Sequence, residues 1–267
     1  MKWIYNTYLL LFFLLVSFVT LNASVKYPST VTHGGILHIK SNADSITYDG
    51  KTYSPLQKST FLLPIKYRAK IGKHYFTQDK KKYFFQVQKG DYKRDILKVA
   101  KDKTNLNKKT QERTIKEALK MKKIYQSNIS QQYATPFVYP LSSKLTSLYG
   151  NARIFNQQIK SYHSGIDFRA KIGTQIKASN DGVVVLAKDL FYCGKCVIIN
   201  HGNKIFSIYA HLSGFKVKVG EKVSKGKVIA LSGKTGRVTG PHLHFGMVLE
   251  GVKIDPRVGI EILNGLM

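Results

Sequence analysis

Apolar and polar residues alternate in short stretches over residues 24–92, with turn-forming residues between them. Stretches 36–40, 45–48, 60–67 and 82–87 show the period of two that puts one face of a strand in a core. Asp49-Gly50, directly after the second stretch, is a hairpin signal. Short strands at this spacing predict a small β-sandwich-like domain of immunoglobulin type. The texture changes over residues 93–132. Residues 93–127 are rich in Lys and contain neither Gly nor Pro, while Ile115, Ala118, Leu119, Ile124 and Tyr125 recur at helical spacing. Thr114 and Glu117 are spaced as a capping box. One or two amphipathic helices are expected here as a linker, placed to cover a neighbouring groove before activation.

Gly-punctuated β texture fills residues 133–267. Strands are expected over 175–178, 182–187, 196–200, 204–211, 228–232 and 242–249, with His201-Gly202-Asn203 as a hairpin turn. Residues 173–184 also echo residues 220–229: a tight turn, a β-branched residue, a second Gly turn and an apolar strand. The echo fits a barrel-like sheet built from two similar units. The chain is therefore expected to be mainly β, with the helical linker between its two β domains.

The start of the chain bears on the compartment. Lys2 precedes an apolar run over residues 8–21, and Ala23 and Ser24 follow it. That order predicts a secretory signal peptide over residues 1–23; the run is short for a membrane span, which needs about 20 residues. No later segment is apolar enough to cross a bilayer. The mature chain is expected in the periplasm or cell envelope, with no stable membrane insertion after cleavage. Hydrophobic residues make up 43% of the sequence, enough for a packed core and against wholesale disorder. The net charge of +28, from 43 Lys and Arg against 15 Asp and Glu, implies attraction to a polyanion. The Lys residues are spread along the chain and no nucleic-acid-binding signature is present, so nucleic acid is not an expected partner. Cys193 and Cys196, the two cysteines, cannot complete a four-ligand zinc site. In an oxidising compartment a local disulfide closing their turn is the expectation.

Candidate chemistry lies in the C-terminal part. His33, His38 and His74 are scattered, and His201 lies in a turn; structural roles are expected for all four. His242 and His244 are two apart in a predicted strand, so both rings share a face while Leu243 and Phe245 point into a core. His163 and Asp167 are four apart around Gly165, in a stretch that suits a bent or bulged strand. A His, a carboxylate and a second His make a three-ligand catalytic zinc pattern with one position open for water. Two further imidazoles beside it are what amide hydrolysis needs, one to accept a proton and one to stabilise an oxyanion. Spacing alone leaves open whether His242 or His244 is the ligand.

His163-x-x-x-Asp167, Tyr209-Ala-His211-Leu212 and Thr239-Gly-Pro-His242-Leu-His244-Phe245 resemble the M23 (lysostaphin/LytM-type) metallopeptidases, a likeness covering roughly residues 136–257. Connecting phrases fit as well, among them Leu148-Tyr-Gly-Asn-Ala-Arg153 and Ile254-Asp-Pro256. The resemblance implies one zinc ion per chain held by His163, Asp167 and His244, with His211 and His242 as catalytic histidines. It also implies a β-sheet groove for an extended peptide, and peptidoglycan stem peptides or cross-links as substrate. A non-catalytic wall-binding activator of other murein hydrolases is the alternative, disfavoured because no ligand position is missing. A phosphocarrier on a similar barrel is disfavoured by the signal segment and by Asp167.

Overall fold

The computed structural model describes residues 25–156 and 159–267. The expected signal peptide lies outside the described residues. Among those described, no helix is long and apolar enough to cross a membrane.

The N-terminal unit contains β1 (Thr30–Thr32), β2 (Ile36–Lys40), β3 (Ile46–Tyr48), β4 (Lys51–Tyr53), β5 (Thr60–Pro64), β6 (Gly72–Gln78) and β7 (Lys81–Gln88). One sheet runs in the order β1-β7-β6-β3-β4, and β2 pairs antiparallel with β5 in a second. Leu37, Ile39, Phe61 and Leu63 of the pair pack against Ile46, Phe76, Phe85 and Val87 of the larger sheet. Strand β7 alternates, with Phe85 and Val87 buried and Phe84 and Gln86 exposed, as the period of a one-sided strand requires. The hairpin turn at Asp49-Gly50 joins β3 to β4, and both of its residues take positive φ (50° and 71°).

The next segment departs from the helical expectation. Arg94–Leu97 forms strand β8, which adds in parallel to a hairpin of the C-terminal unit. A short 3-10 turn follows at Lys101–Lys103, and a single helix, α1, runs over Lys108–Gln126. Its N-cap is Asn107, whose side chain accepts from Thr110 N at 2.9 Å. Thr114 therefore sits inside the helix, and its hydroxyl donates back to Gln111 O at 2.8 Å instead of capping. Of the apolar positions at helical spacing, the structure buries those at the end of the helix and leaves the earlier ones exposed. Ile115 and Leu119 are exposed, and it is Tyr125, with Met121 and Ile124, that packs on the C-terminal sheet.

The C-terminal unit holds β9 (Leu145–Ser147), β10 (Ala152–Phe155), β11 (Ile159–Tyr162), β12 (Ile166–Arg169), β13 (Gln175–Lys177), β14 (Gly182–Leu190), β15 (Gly194–Gly202), β16 (Ile205–Phe215), β17 (Lys222–Val223), β18 (Val228–Ser232), β19 (His242–Leu249) and β20 (Val252–Ile254). Its large sheet runs β17-β14-β15-β16-β19-β12-β9, with β18 and β13 branching from β16 and β20 pairing with β19. Strand β16 is buried continuously from Ile205 to Leu212. It is covered on both faces: Tyr209 and Leu212 enter one core with Phe245 and Ile166, while Phe206, Ile208 and Ala210 enter another with Tyr125. Strands β8, β10 and β11 form a small separate sheet beside the large one. A closing helix α2 (Pro256–Asn264), not anticipated from the apolar pattern, buries Ile260 and Leu263. Its start is written locally: Asp255 caps it and Pro256 occupies the first turn.

Candidate metal centre and active site

Antiparallel pairing of β12 with β19 places Asp167 opposite His244 and Arg169 opposite His242. Where β12 meets β9 the register shifts between Asp167 and Phe168, with the extra residue, Thr146, on β9. His163 lies just before β12. Gly165, between His163 and Asp167, has a spatial reason: a Cβ there would come within 2.8 Å of the His244 ring. The structure thus brings His163, Asp167 and His244 together.

Their facing atoms form a tight triangle. His163 Nε2 is 2.9 Å from Asp167 Oδ1 and 3.0 Å from His244 Nδ1, and His244 Nδ1 is 2.9 Å from Asp167 Oδ1. The proton inventory explains why this triangle suits a cation. A ring nitrogen facing a carbonyl oxygen must carry the hydrogen, and His163 Nδ1 donates to Leu148 O at 2.7 Å. Neutral His163 therefore presents the Nε2 lone pair to a carboxylate oxygen, which has only lone pairs to offer. Two acceptors at that distance repel unless a proton or a metal ion lies between them, so the donor set fits a small divalent cation. Zinc prefers this mixture of neutral imidazole and carboxylate, with the far ring nitrogen of a ligand bonded to a carbonyl.

Burial pushes the Asp167 carboxyl up, yet the His163 and His244 rings facing it more than reverse this and hold it well below the usual carboxylate range. Burial brings His244 down to about 4 despite its bond to Asp167. Asp167 is thus held as an anion and His244 as a neutral ring, the protonation states that metal binding requires.

The two remaining histidines stand beside the triangle. The His211 ring is 4.8 Å from that of His242 and 5.8 Å from that of His244, centre to centre. His211 Nδ1 donates to Thr235 O and His242 Nδ1 to Gly240 O, each at 2.9 Å. Both rings therefore turn a lone pair on Nε2 toward the site. For His242 that atom is buried, lacks a hydrogen-bond partner among the described residues and lies 3.7 Å from Asp167 Oδ1. Burial, reinforced by His242 and His244, keeps the His211 pKa well below the ordinary histidine value. The His211 backbone has φ of 63°, a sparsely populated region for a non-glycine residue, and its N–H is held by Cys193 O at 2.9 Å.

Sequence reasoning missed the support around the triangle. Arg153 of β10 donates to Asp167 Oδ2 at 2.7 Å, leaving Oδ1 for the triangle. Asn151 bonds Asp95 at 3.3 Å, and Ser147 Oγ bridges Asp95 at 3.3 Å to His163 Nδ1 at 3.1 Å. Arg153 was visible in the phrase Leu148–Arg153, but nothing local marks Asp95, which arrives through the parallel pairing of β8 with β10. His33, His38 and His201 lie elsewhere, and His74 stands on the N-terminal wall of the cavity that opens on the site, bonded to Tyr48 Oη at 3.1 Å and Lys70 O at 2.7 Å. His201 is wholly buried and bonded to Asp181 O at 2.6 Å and Ser207 Oγ at 2.8 Å. Cys193 and Cys196, expected as a disulfide, are free thiols.

A cavity of about 1160 Å³ opens on the site, walled by α1, the N-terminal unit and the sheet, with His163, His211 and His244 in its lining. A second of about 630 Å³ reaches Asp167 and His242 from the other side. Arg153, Phe155 and Arg237 border both. The Arg237 guanidinium lies 4.0 Å from the Phe155 ring centre and 4.3 Å from that of Tyr192, and so joins the two walls.

Residues 161–256, which contain all five candidate residues, match Peptidase family M23. This stretch carries the similarity to M23 peptidase domains. The chain is 52% identical over 93 residues to peptidoglycan DD-endopeptidase ShyA of Vibrio cholerae, covering 35% of this chain and 22% of that protein. It is 43% identical over 94 residues to DD-carboxypeptidase/endopeptidase Mpg of Neisseria meningitidis, covering 35% and 22%. The chain thus spans about a fifth of the length of these curated relatives. Over a greater extent it is similar to the crystal structure of a putative M23 peptidase from Pseudomonas aeruginosa: 25% identity, TM-score 0.66, 86% of this chain and 94% of that one.

Proposed function

We propose that this protein is a zinc-dependent peptidase of the bacterial envelope that hydrolyses stem peptides or cross-links of peptidoglycan, as a D,D-endopeptidase or carboxypeptidase. The observation that carries this reading is the convergence of His163 Nε2, Asp167 Oδ1 and His244 Nδ1 beside two imidazoles whose Nδ1 protons are tied to backbone carbonyls. His163, Asp167 and His244 would hold one zinc ion. When bound, zinc supplies Lewis acidity, lowering the pKa of water to about 7 and polarising a peptide carbonyl.

The chain's own residues do the rest. Arg153 fixes the Asp167 carboxylate so that one oxygen faces inward. His211 and His242 each present an Nε2 lone pair, so each can take the proton that water loses on attack. A ring that has taken a proton becomes a donor to the oxyanion of the tetrahedral intermediate, and can then return the proton to the leaving amine. Burial of His211 disfavours its charged form, so a proton it has taken up is readily returned. The cavity also suits an anionic peptide: Arg68, Lys70, Lys122 and Arg237 are among its walls. Names of the relatives point the same way, toward peptidoglycan and toward either kind of D,D-peptidase.

The test is mass spectrometry of muropeptides incubated with the purified protein. Cross-link cleavage or loss of terminal residues is expected, abolished by chelator and restored by Zn²⁺. Unchanged turnover in excess chelator would overturn the metal assignment. Wall binding without any product would favour the activator reading.

A further inference from the structure

The Cys193–Cys196 turn is not used by the reaction above, yet it is wired to it. Cys193 O holds the His211 N–H at 2.9 Å. Lys195 N donates to Thr235 Oγ1 at 2.9 Å, and Thr235 O accepts the His211 Nδ1 proton at 2.9 Å. Thr235 Oγ1 in turn donates to Leu212 O at 2.7 Å. Backbone and ring of His211 therefore both rest on this turn and on the loop it touches. The turn is also tight: Gly194 has φ of 60°, and a Cβ there would collide with Thr235. Tyr192, next to Cys193, stacks on Arg237, and its carbonyl accepts the Arg237 N–H at 2.9 Å.

The two thiols differ in access. Cys193 lines the large cavity with His211, Arg237 and Lys253, whereas Cys196 is fully buried on β15. They pack in one core, where Cys196 brings the Cys193 thiol down to about 7 against the effect of burial, while Cys193 and burial raise Cys196. Arg237 and Lys253 favour the Cys193 thiolate further. An accessible sulfur of thiolate character backed by a buried partner is the arrangement of an attacking and a resolving cysteine.

We propose that Cys193 and Cys196 form a reversible disulfide in the wall of the catalytic cavity, and that its state sets the placement of His211. The oxidant is a disulfide, small or protein-borne. The Cys193 thiolate attacks one of its sulfurs, forming a mixed disulfide and expelling the first thiolate. Cys196 then loses its proton and attacks Cys193 Sγ, expelling the second. The protein gives up two electrons and two protons, and the oxidant leaves as two thiols. Closing the bond draws Cys193 toward Cys196, and the carbonyl holding His211 moves with it. Only the link to His211 rests on the reading of that residue as catalytic; formation of the disulfide does not.

The test equilibrates the zinc-loaded chain in buffers of oxidised and reduced glutathione. Intact-mass analysis after alkylation is run beside muropeptide turnover and NMR of the His211 ring. The expected result is one two-electron step from two alkylated thiols to none. Turnover should change by at least about threefold and the His211 resonances should shift over the same range, neither happening in the C193S/C196S double variant. Thiols alkylated at every ratio, or a lasting glutathione adduct on Cys193, would overturn the disulfide. A disulfide that leaves the His211 resonances in place would overturn the coupling. A chain that turns over no muropeptide in either state would sink the peptidase reading, while mass and NMR still decide this one.

Discussion

In the N-terminal sandwich, histidines are isolated. His33 is stacked between Tyr67 and Tyr92, 5.1 and 5.0 Å away, with a buried and unpaired Nε2. His38 on β2 also has an unpaired Nε2, and burial with Lys40 nearby lowers its pKa. In the C-terminal sheet, His163, His211, His242 and His244 share one cluster around a single carboxylate, and three of them anchor Nδ1 on a carbonyl. Burial depresses imidazoles in both regions, so depressed basicity does not make a site. What separates the regions is that lone pairs converge in one and point nowhere in particular in the other.

The comparison breaks most decisively at the triangle. His244→Ala should lose zinc and lower turnover by at least about 10³-fold, whereas His211→Ala should keep zinc and lose about 10²–10⁴-fold. Equal zinc content in the two variants, measured by elemental analysis, would refute the division of roles.

His201 sharpens it next, being a C-terminal histidine with no part in the cluster. Burial brings it down to about 4 from the usual 6.5. Because the folded value is depressed, the stability it contributes is complete above 6.5 and is lost as pH falls toward 4. That loss is about 3 kcal/mol. Denaturant unfolding across this window should show a shallower pH dependence in His201→Leu than in the wild type. An unchanged slope would mean the ring is not held neutral.

Arg153→Gln should weaken zinc affinity about 10–100-fold in competition with a chelator, through Asp167 alone; an unchanged affinity would remove Arg153 from the support of the site. The smallest effect belongs to the sandwich. His38→Leu discards an unpaired polar atom and should shift unfolding stability by no more than about 1 kcal/mol. A larger loss would mean that His38 has a partner in solution.

How legible the molecule was depended on the range of the signal. Strands 36–40, 228–232 and 242–249 were readable to the residue because alternation and Gly turns act locally. The helix was readable but not its start, nor which of its apolar positions the sheet would cover, since Asn107 outcompeted Thr114 as a cap and the sheet took Ile124 and Tyr125 but not Ile115. Strand β8 was read as helix because its residues pair in parallel with a hairpin about 60 positions later, a contact that no local window contains.

Residue types and spacing by themselves pointed to β units around a helix, and to His163, Asp167, His211, His242 and His244 as the candidate chemistry. The period of a strand is two, and that alone puts His242 and His244 on one face. Only the tertiary structure decided which atoms meet. Pairing β12 with β19 sets Asp167 across from His244, and the carbonyls of Leu148 and Thr235, far along the chain, choose which nitrogen of His163 and His211 keeps its proton. Those choices depend on distances between segments far apart in the chain, which sequence order does not carry.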